Sequence, residues 1–243
     1  MKYIAKHKLS LKSYAGNFTG IFLSLLLIFI IPKFSSLTLF TIELPVVPAI
    51  GILLLFIVGT INAFNLLDGL DGLVSGVSLL VFTLLFFVSL NLMDTFSLIV
   101  LSSIIGCLIG FLKYNGYPAR IFLGDSGSFL LGYLIVSSVL IVSINKSTNI
   151  LDLTFPVILL AVPIADTLKV FFERIIAGKH PFVADRSHIH HIVFSKNITH
   201  KTTVFVITIY SLIFAVNALI YRYYSESIGI LIFLILLLPL IFA

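Results

Sequence analysis

The sequence is poor in charged residues and in cysteine. Only 10% of its 243 residues are charged, whereas a soluble domain carries roughly a quarter. The mean hydropathy is +1.21, and this composition predicts a polytopic membrane protein. The one cysteine, Cys107, excludes an internal disulfide and argues against redox chemistry. The sequence also lacks internal repeats and a separate soluble domain, so we expect residues 1–243 to form a single integral membrane domain.

Long apolar runs predict an all-α fold, a polytopic transmembrane helical bundle of about eight spans. With the N-terminus in the cytoplasm, 12 of the 15 lysine and arginine residues fall on the cytoplasmic side, as the positive-inside rule requires. This topology explains the pI near 9.3, so the scattered basic residues do not indicate nucleic-acid binding. A polar cytoplasmic loop is expected at about 172–202. The expected spans are 17–31, 45–61, 73–91, 96–112, 128–144, 153–171, 203–220 and 227–243.

The tract at 62–72 places two carboxylates between apolar runs, at the predicted cytoplasmic edge of the membrane. A carboxylate is costly there and by default marks a functional site with a partner such as a cation. If the tract is helical, Asn65, Asp68 and Asp71 share one face, and the glycines after the two acids leave the backbone open to a ligand. The alternative is an interfacial turn in which the acids are only solvated or cap a helix.

A second polar tract, Asn115–Ser128, falls on the same predicted side of the membrane. Asp125 precedes an apolar helix, where an acid also complements the helix dipole, so helix capping alone is an equal explanation for it. Phe122 offers a ring face to a nucleobase, or is simply buried. The tract becomes informative about function only because it lies on the same predicted side of the membrane as Asp68 and Asp71.

The third tract, residues 181–191, is a dense polar cluster in an apolar chain. It contains Arg186, His188, His190 and His191, and such donors suit an anionic group such as phosphate. A structural loop and a metal site are the alternatives, although no cysteine or further close carboxylate completes a tetrahedral zinc set.

Together, the three tracts supply acids for a divalent cation and basic donors for phosphates, beside an apolar surround. Mg²⁺ prefers few carboxylates together with substrate phosphate oxygens. Such a site fits phosphoryl transfer, in which catalysis is mostly positioning and charge neutralisation. At a membrane edge, one partner would be a lipid phosphate.

At these motifs the sequence resembles the polyprenyl-phosphate N-acetylhexosamine-1-phosphate transferase family, of the glycosyltransferase family 4 type. The resemblance rests on Asn-Ala-Phe-Asn-Leu-Leu-Asp-Gly-Leu-Asp-Gly-Leu at 62–73, on Asn115–Ser128, and on Pro-Phe-x-x-Asp-Arg-x-His-Ile-His-His at 181–191. Three ordered motifs with matching spacing are highly specific. The His-Ile-His-His form resembles the branch that uses UDP-N-acetylglucosamine or a related UDP-sugar.

The resemblance implies transfer of a sugar-1-phosphate from a UDP-sugar to undecaprenyl phosphate, with release of UMP and a requirement for Mg²⁺. It implies an enzyme of the bacterial inner membrane with a cytoplasmic active face, which initiates a cell-envelope glycan such as cell wall or O-antigen; pairing with a second copy of the chain stays open. By position, Asp125 matches the Mg²⁺ ligand and Phe122 the residue that stacks on uracil. The expected catalytic residues are Asp68, Asp71, Asp125, His190 and His191, and the expected substrate-binding residues are Asn65, Asn115, Phe122, Arg186 and His188.

One departure from the family pattern affects the expected activity. Family members carry an Asp-Asp pair at the edge of an earlier span, and this sequence contains no adjacent Asp-Asp. Lys-Leu-Ser-Leu-Lys-Ser at 8–13 resembles the segment that follows that pair. We therefore expect the chain to lack the first spans of the family together with the pair, and to be inactive or severely impaired alone.

Two other functions compete with transfer. Gly124-Asp-Ser-Gly127 fits the motif of a rhomboid-like intramembrane serine protease, with Ser126 as nucleophile. A membrane cation or proton transporter would also use intramembrane acids, and would hold them near mid-membrane.

Overall fold

The computed structural model describes residues 34–178 and 198–242. Within these residues the chain is mostly helical, as predicted, with a small sheet at one end. The strands are β1 Ser36–Leu39, β2 Ile42–Pro45 and β3 Ile150–Asp152. The helices are α1 Val46–Leu67, α2 Leu73–Asn91, α3 Thr95–Asn115, α4 Gly124–Ser143, α5 Thr154–Leu159, α6 Ala161–Ile176, α7 His200–Tyr223 and α8 Glu226–Phe242.

Five of the described helices are long and apolar enough to cross a membrane: α1, α2, α3, α4 and α7. The helix α8 is apolar but shorter, and the expected first span, 17–31, lies outside the described residues. The expected span 153–171 is divided at Leu160 into α5 and α6. Pro163 explains the break, because it has no N–H to donate to the carbonyl of Leu159. The count of eight and the orientation of the N-terminus remain predictions.

The sequence analysis did not predict the three-stranded sheet, which joins β1 and β2, between the first two expected spans, to β3, between the expected spans 128–144 and 153–171. The strand β1 pairs antiparallel with β2 and parallel with β3, so the order is β2-β1-β3. Phe40 and Thr41 form the hairpin turn with positive φ values of 47° and 71°. Turns of this kind usually carry Asn or Gly, and the absence of that signal hid the hairpin.

The helices give the bundle two distinct ends. At one end, which we call the Asp68 end, α1 and α3 finish and α2, α4 and α7 begin; side-chain hydrogen bonds join α1 to α4 and α2 to α3 there. At the other, the sheet end, Arg222 of α7 donates to the carbonyl of Val142 at 3.0 Å. Tyr221 beside it donates to Asp152 of β3 at 3.2 Å.

Close packing of α1 against α4 sets the geometry of the Asp68 end. A Cβ atom on Gly132 of α4 would lie 3.0 Å from the Cα of Ile61 on α1, so no larger residue fits without movement of backbone. Among the described helices that could span a membrane, α2 is the most buried and α3 the least. The fully buried rings of Phe64, Phe82 and Phe214 fill the core around them.

Candidate active site

The first helix ends just before the acids of the 62–72 tract. The last residue of α1 is Leu67, and Asp68 caps it with φ −75° and ψ 52°. The turn that follows closes at Gly72, which has φ +77° and whose Cβ position lies 3.4 Å from the Cα of Gly116. The tract is not helical beyond Leu67, so the condition under which Asn65, Asp68 and Asp71 would share one helical face is not met.

Asn65 links the end of α1 to the beginning of α4. Its Nδ2 donates to the hydroxyl of Ser128 at 2.8 Å. Ser128 is fully buried and donates in turn to the backbone carbonyl of Asp125 at 3.1 Å. This chain of hydrogen bonds brings Asp68 and Asp125 together from two tracts that are far apart in the sequence.

Asp68 lies within electrostatic reach of Asp125. Surrounding protein atoms raise the pKa of the Asp68 carboxyl by desolvation, and the negative charge of Asp125 raises it further. Both residues stay open to solvent at one side. Within residues 34–178 and 198–242, neither carboxylate accepts a hydrogen bond or forms an ion pair. The pair therefore concentrates negative charge that no described group neutralises.

This donor set fits a hard divalent cation. Among the described residues there is no cluster of three or more His, Cys, Asp or Glu side chains that could form a complete protein cage. Two neighbouring carboxylates that have no partners among the described residues are instead the type of site that Mg²⁺ uses together with substrate phosphates. Asp68 and Asp125 are the residues that would hold such an ion.

Asp71 has a different environment. Its Oδ2 accepts a hydrogen bond from the backbone N–H of Ala119 at 3.0 Å. Its backbone carbonyl lies 3.4 Å from Nε2 of His200 on α7. Asp71 therefore holds the loop between α3 and α4 in place through one of its carboxylate oxygens.

Asn115 also holds this loop. It is only 5% exposed, accepts from the Ser75 hydroxyl at 2.7 Å and donates to the carbonyl of Ile121 at 3.0 Å. Its amide thus fixes the backbone immediately before Phe122. The ring of Phe122 is 74% exposed and lies three residues from Asp125, so it is available to stack on a ligand.

The sequence analysis missed one residue at this end of the bundle. His200, which begins α7, stacks on Tyr117 with ring centroids 4.4 Å apart. Since Tyr117 and His200 belong to distant segments, no local pattern could have linked them. The predicted residues Arg186, His188, His190 and His191 lie outside the described residues.

Comparison with known proteins identifies the family. Residues 6–143, more than half of the chain, match glycosyl transferase family 4. The chain belongs to this family. It is 39% identical over 189 residues to a probable undecaprenyl-phosphate N-acetylglucosaminyl 1-phosphate transferase of Bacillus subtilis, a match that covers 76% of this chain and 51% of that protein.

Two further relatives extend the comparison. An undecaprenyl-phosphate alpha-N-acetylglucosaminyl 1-phosphate transferase of Thermotoga maritima is 37% identical, over 70% of this chain and 51% of its own length. A phospho-N-acetylmuramoyl-pentapeptide-transferase of Caldanaerobacter subterraneus is 36% identical, over 55% of this chain and 41% of its own length. The glycosyl transferase family 4 chain described here thus spans about half the length of the curated relatives it matches.

Neither competing function is favoured. Asp68 caps the end of α1 and Asp125 lies in the first turn of α4, so these acids are at helix ends and not at mid-span as expected of a transporter. His200, the histidine that the structure describes, contacts Tyr117 and Asp71. Nothing in the described part of the chain pairs it with Ser126 as a catalytic base.

Proposed function

We propose that this chain binds a UDP-sugar at the Asp68 end and acts in the transfer of its sugar-1-phosphate to undecaprenyl phosphate, with release of UMP. The observation that carries the proposal is the pair of neighbouring carboxylates, Asp68 and Asp125, held together by Asn65 and Ser128 without described partners of their own. The names of the relatives, undecaprenyl-phosphate N-acetylglucosaminyl 1-phosphate transferases, support N-acetylglucosamine as the sugar.

The residues divide the work as follows. Asp125, with Asp68, would hold Mg²⁺, and the bound ion would neutralise the diphosphate of the donor. The exposed ring of Phe122 would stack on uracil, which is worth about 1–3 kcal/mol for a base on an aromatic ring. Asn115 and Asp71 would keep the loop that carries Phe122 in one conformation. We keep Arg186, His188, His190 and His191 as proposed donors to the sugar and diphosphate.

Nucleotide binding gives the sharpest test, because it depends on described residues and does not require the chain to turn over alone. The purified chain in detergent is titrated with UDP-N-acetylglucosamine by calorimetry, with Mg²⁺ and with EDTA. We expect saturable binding that requires Mg²⁺ and is competed by UMP. ADP-N-acetylglucosamine, which carries the same sugar diphosphate on a purine nucleoside, is the matched control and should bind at least about tenfold more weakly if the site recognises the base.

Two outcomes would contradict the proposal. The first is the absence of any Mg²⁺-dependent binding by chain that circular dichroism shows to be helical. The second is equal affinity for the uridine and adenosine nucleotides, which would leave a phosphate site without a role for Phe122.

A further inference from the structure

A separate cavity lies beside the candidate active site, on the side of α2 that faces α7. Its volume is about 410 Å³. Three of its apolar wall residues are Leu112 of α3 and Val204 and Phe205 of α7. Because α2, α3 and α7 are all long enough to span a membrane, the cavity is a groove that runs along membrane helices from the Asp68 end. We call it the α2–α7 groove.

Glycines keep the α2–α7 groove open. A Cβ atom on Gly76 of α2 would meet only the Thr208 hydroxyl, at 3.9 Å, so the space beside it is free. Gly72 and Gly116 also line the groove, and their backbones approach each other closely. The floor of the groove therefore lacks bulky side chains at these glycines, which leaves room for an alkyl chain.

The mouth of the α2–α7 groove carries one lysine and one acid, Lys201 and Asp71. Lys201 lines it and is exposed, and within the described residues no salt bridge involves it. His200 lies next to it, with its ring fixed by stacking on Tyr117. The acid at the mouth, Asp71, has one carboxylate oxygen occupied by the N–H of Ala119. A cation at the end of a membrane helix, above an apolar groove, matches a ligand with an anionic head and an apolar tail.

We propose that the α2–α7 groove binds an anionic phospholipid, with its phosphate at Lys201 and His200 and one acyl chain along Val204, Phe205 and Gly76. The exposed side chain of Phe205 continues the apolar surface into the bilayer. Attraction of a lysine near the membrane surface to anionic lipid is worth about 1 kcal/mol. This inference does not rest on the proposed transfer reaction, because the ligand is different and Lys201 has no part in that reaction, although Asp71 also lines the groove.

Lipid selectivity is the property to measure. The chain is reconstituted in nanodiscs of phosphatidylcholine, and affinity for a fluorescent phosphatidylglycerol is compared with that for phosphatidylcholine bearing the same label. We expect Lys201→Gln to weaken phosphatidylglycerol binding about fivefold, the factor that corresponds to about 1 kcal/mol. Gly76→Leu, which fills the groove floor, should remove the preference for phosphatidylglycerol.

Each variant has a matched control. Lys113→Gln removes a lysine at the same end of the bundle, in the last turn of α3 and outside the groove. Gly110→Leu adds the same side chain on α3, where nothing lies within 4 Å of the glycine. Neither control should change selectivity. Thermal unfolding verifies that every variant is folded. If Gly76→Leu does not fold, the comparison of Lys201→Gln with Lys113→Gln tests the proposal without it.

Three results would overturn the proposal. Equal affinity for the two lipids would leave only non-selective contact with the bilayer. Displacement of phosphatidylglycerol by inorganic phosphate alone would indicate a free-anion site in which the groove takes no part. Equal losses for Lys201→Gln and Lys113→Gln would reduce the effect to general surface charge. Nucleotide titration is unaffected by all three, so failure here is distinguishable from failure of the proposed function.

Discussion

The Asp68–Asp125 pair and the acids at the sheet end of the helical bundle differ in whether the described residues supply them with partners. At the sheet end, Asp94 accepts a hydrogen bond from the N–H of Ser97 at 3.2 Å and lies 3.6 Å from the ammonium of Lys146. The Ser97 hydrogen bond first, and Lys146 after it, hold the pKa of Asp94 below its usual value. At the Asp68 end, burial and the charge of Asp125 raise the pKa of Asp68.

A second acid at the sheet end has a similar structural use. Asp152 of β3 accepts from the Thr154 N–H at 2.9 Å and from the hydroxyl of Tyr221 on α7 at 3.2 Å. It therefore cross-links the sheet to α5 and α7. Its counterparts Asp68 and Asp125 cross-link nothing that the structure describes, and they repel each other. Acids that stabilise a fold are paired within it, whereas acids kept together without partners are those expected to meet a ligand.

The largest expected effect is on nucleotide binding, which should depend on an acid of the Asp68 end and not on an acid of the sheet end. Asp125→Asn should abolish Mg²⁺-dependent binding of UDP-N-acetylglucosamine. Removing only the hydrogen-bond partners of a metal-ligating side chain lowers metal affinity about 10–100-fold. Removing the ligating carboxylate itself should lower it more. Asp94→Asn is the matched change at the sheet end and should leave the affinity unchanged in the same calorimetric titration. Equal losses in both variants would mean that the ends do not differ as argued here.

Exposed phenylalanines extend the comparison. Phe122 near Asp125 is 74% exposed, and Phe96 at the sheet end is 75% exposed. Phe122→Leu should weaken UMP binding about fivefold or more, since base stacking on an aromatic ring contributes about 1–3 kcal/mol. Phe96→Leu should have no effect. An unchanged UMP affinity in the Phe122 variant, measured by titration with Mg²⁺ present, would remove this ring from the site.

Helix packing links stability to the Asp68 end. Gly132→Ala places a methyl group 3.0 Å from the Cα of Ile61 and 3.1 Å from its carbonyl oxygen, so α1 and α4 must separate. Overpacking of this kind costs about 1–3 kcal/mol. It should lower the unfolding temperature and stretch the hydrogen bond from Asn65 to Ser128, which weakens nucleotide binding as well.

The control for this packing change lies on α3. Gly110→Ala adds the same methyl group where nothing lies within 4 Å, and it should keep or raise the unfolding temperature, because alanine favours helix over glycine by about 1 kcal/mol. A stable Gly132 variant with normal nucleotide affinity would show that the close contact of α1 with α4 does not position the acids.

The sequence predicted the helical fold and the convergence of Asp68 and Asp125 at one end, because apolar length and polar tracts are local signals. It did not predict the sheet, whose hairpin turn is made by Phe40 and Thr41 without glycine or asparagine. Pro163 indicated that the expected span 153–171 breaks near Leu160. The continuous apolar run through Pro163 nevertheless favoured a single helix. The stacking of Tyr117 on His200 arises only when the loop after α3 meets the beginning of α7, so it could not be predicted from either segment alone.

The pH dependence of stability tests whether Asp94 is paired within the fold at the sheet end. Its lowered pKa means that the ionised form is stabilised in the folded chain. This stability is fully present above the usual pKa of an aspartate carboxyl and is lost as the pH falls through the lower pKa of the folded chain. The unfolding temperature of Asp94→Ala should be below that of the parent chain near neutral pH, by an amount corresponding to about 1 kcal/mol for a lost helix cap. The difference should shrink in acid.

The smallest expected effect is a change of opposite sign at Asp68. Its raised pKa means that ionisation costs stability in the folded chain, at every pH above the raised value. Asp68→Asn removes that charge, so without Mg²⁺ it should raise the unfolding temperature slightly, and the gain should disappear as the pH falls and the parent carboxyl is protonated. With Mg²⁺ and UMP the order should reverse, since the ion neutralises the carboxylates of the parent chain. A variant less stable than the parent without Mg²⁺ would show that Asp68, like Asp94, is paired within the fold.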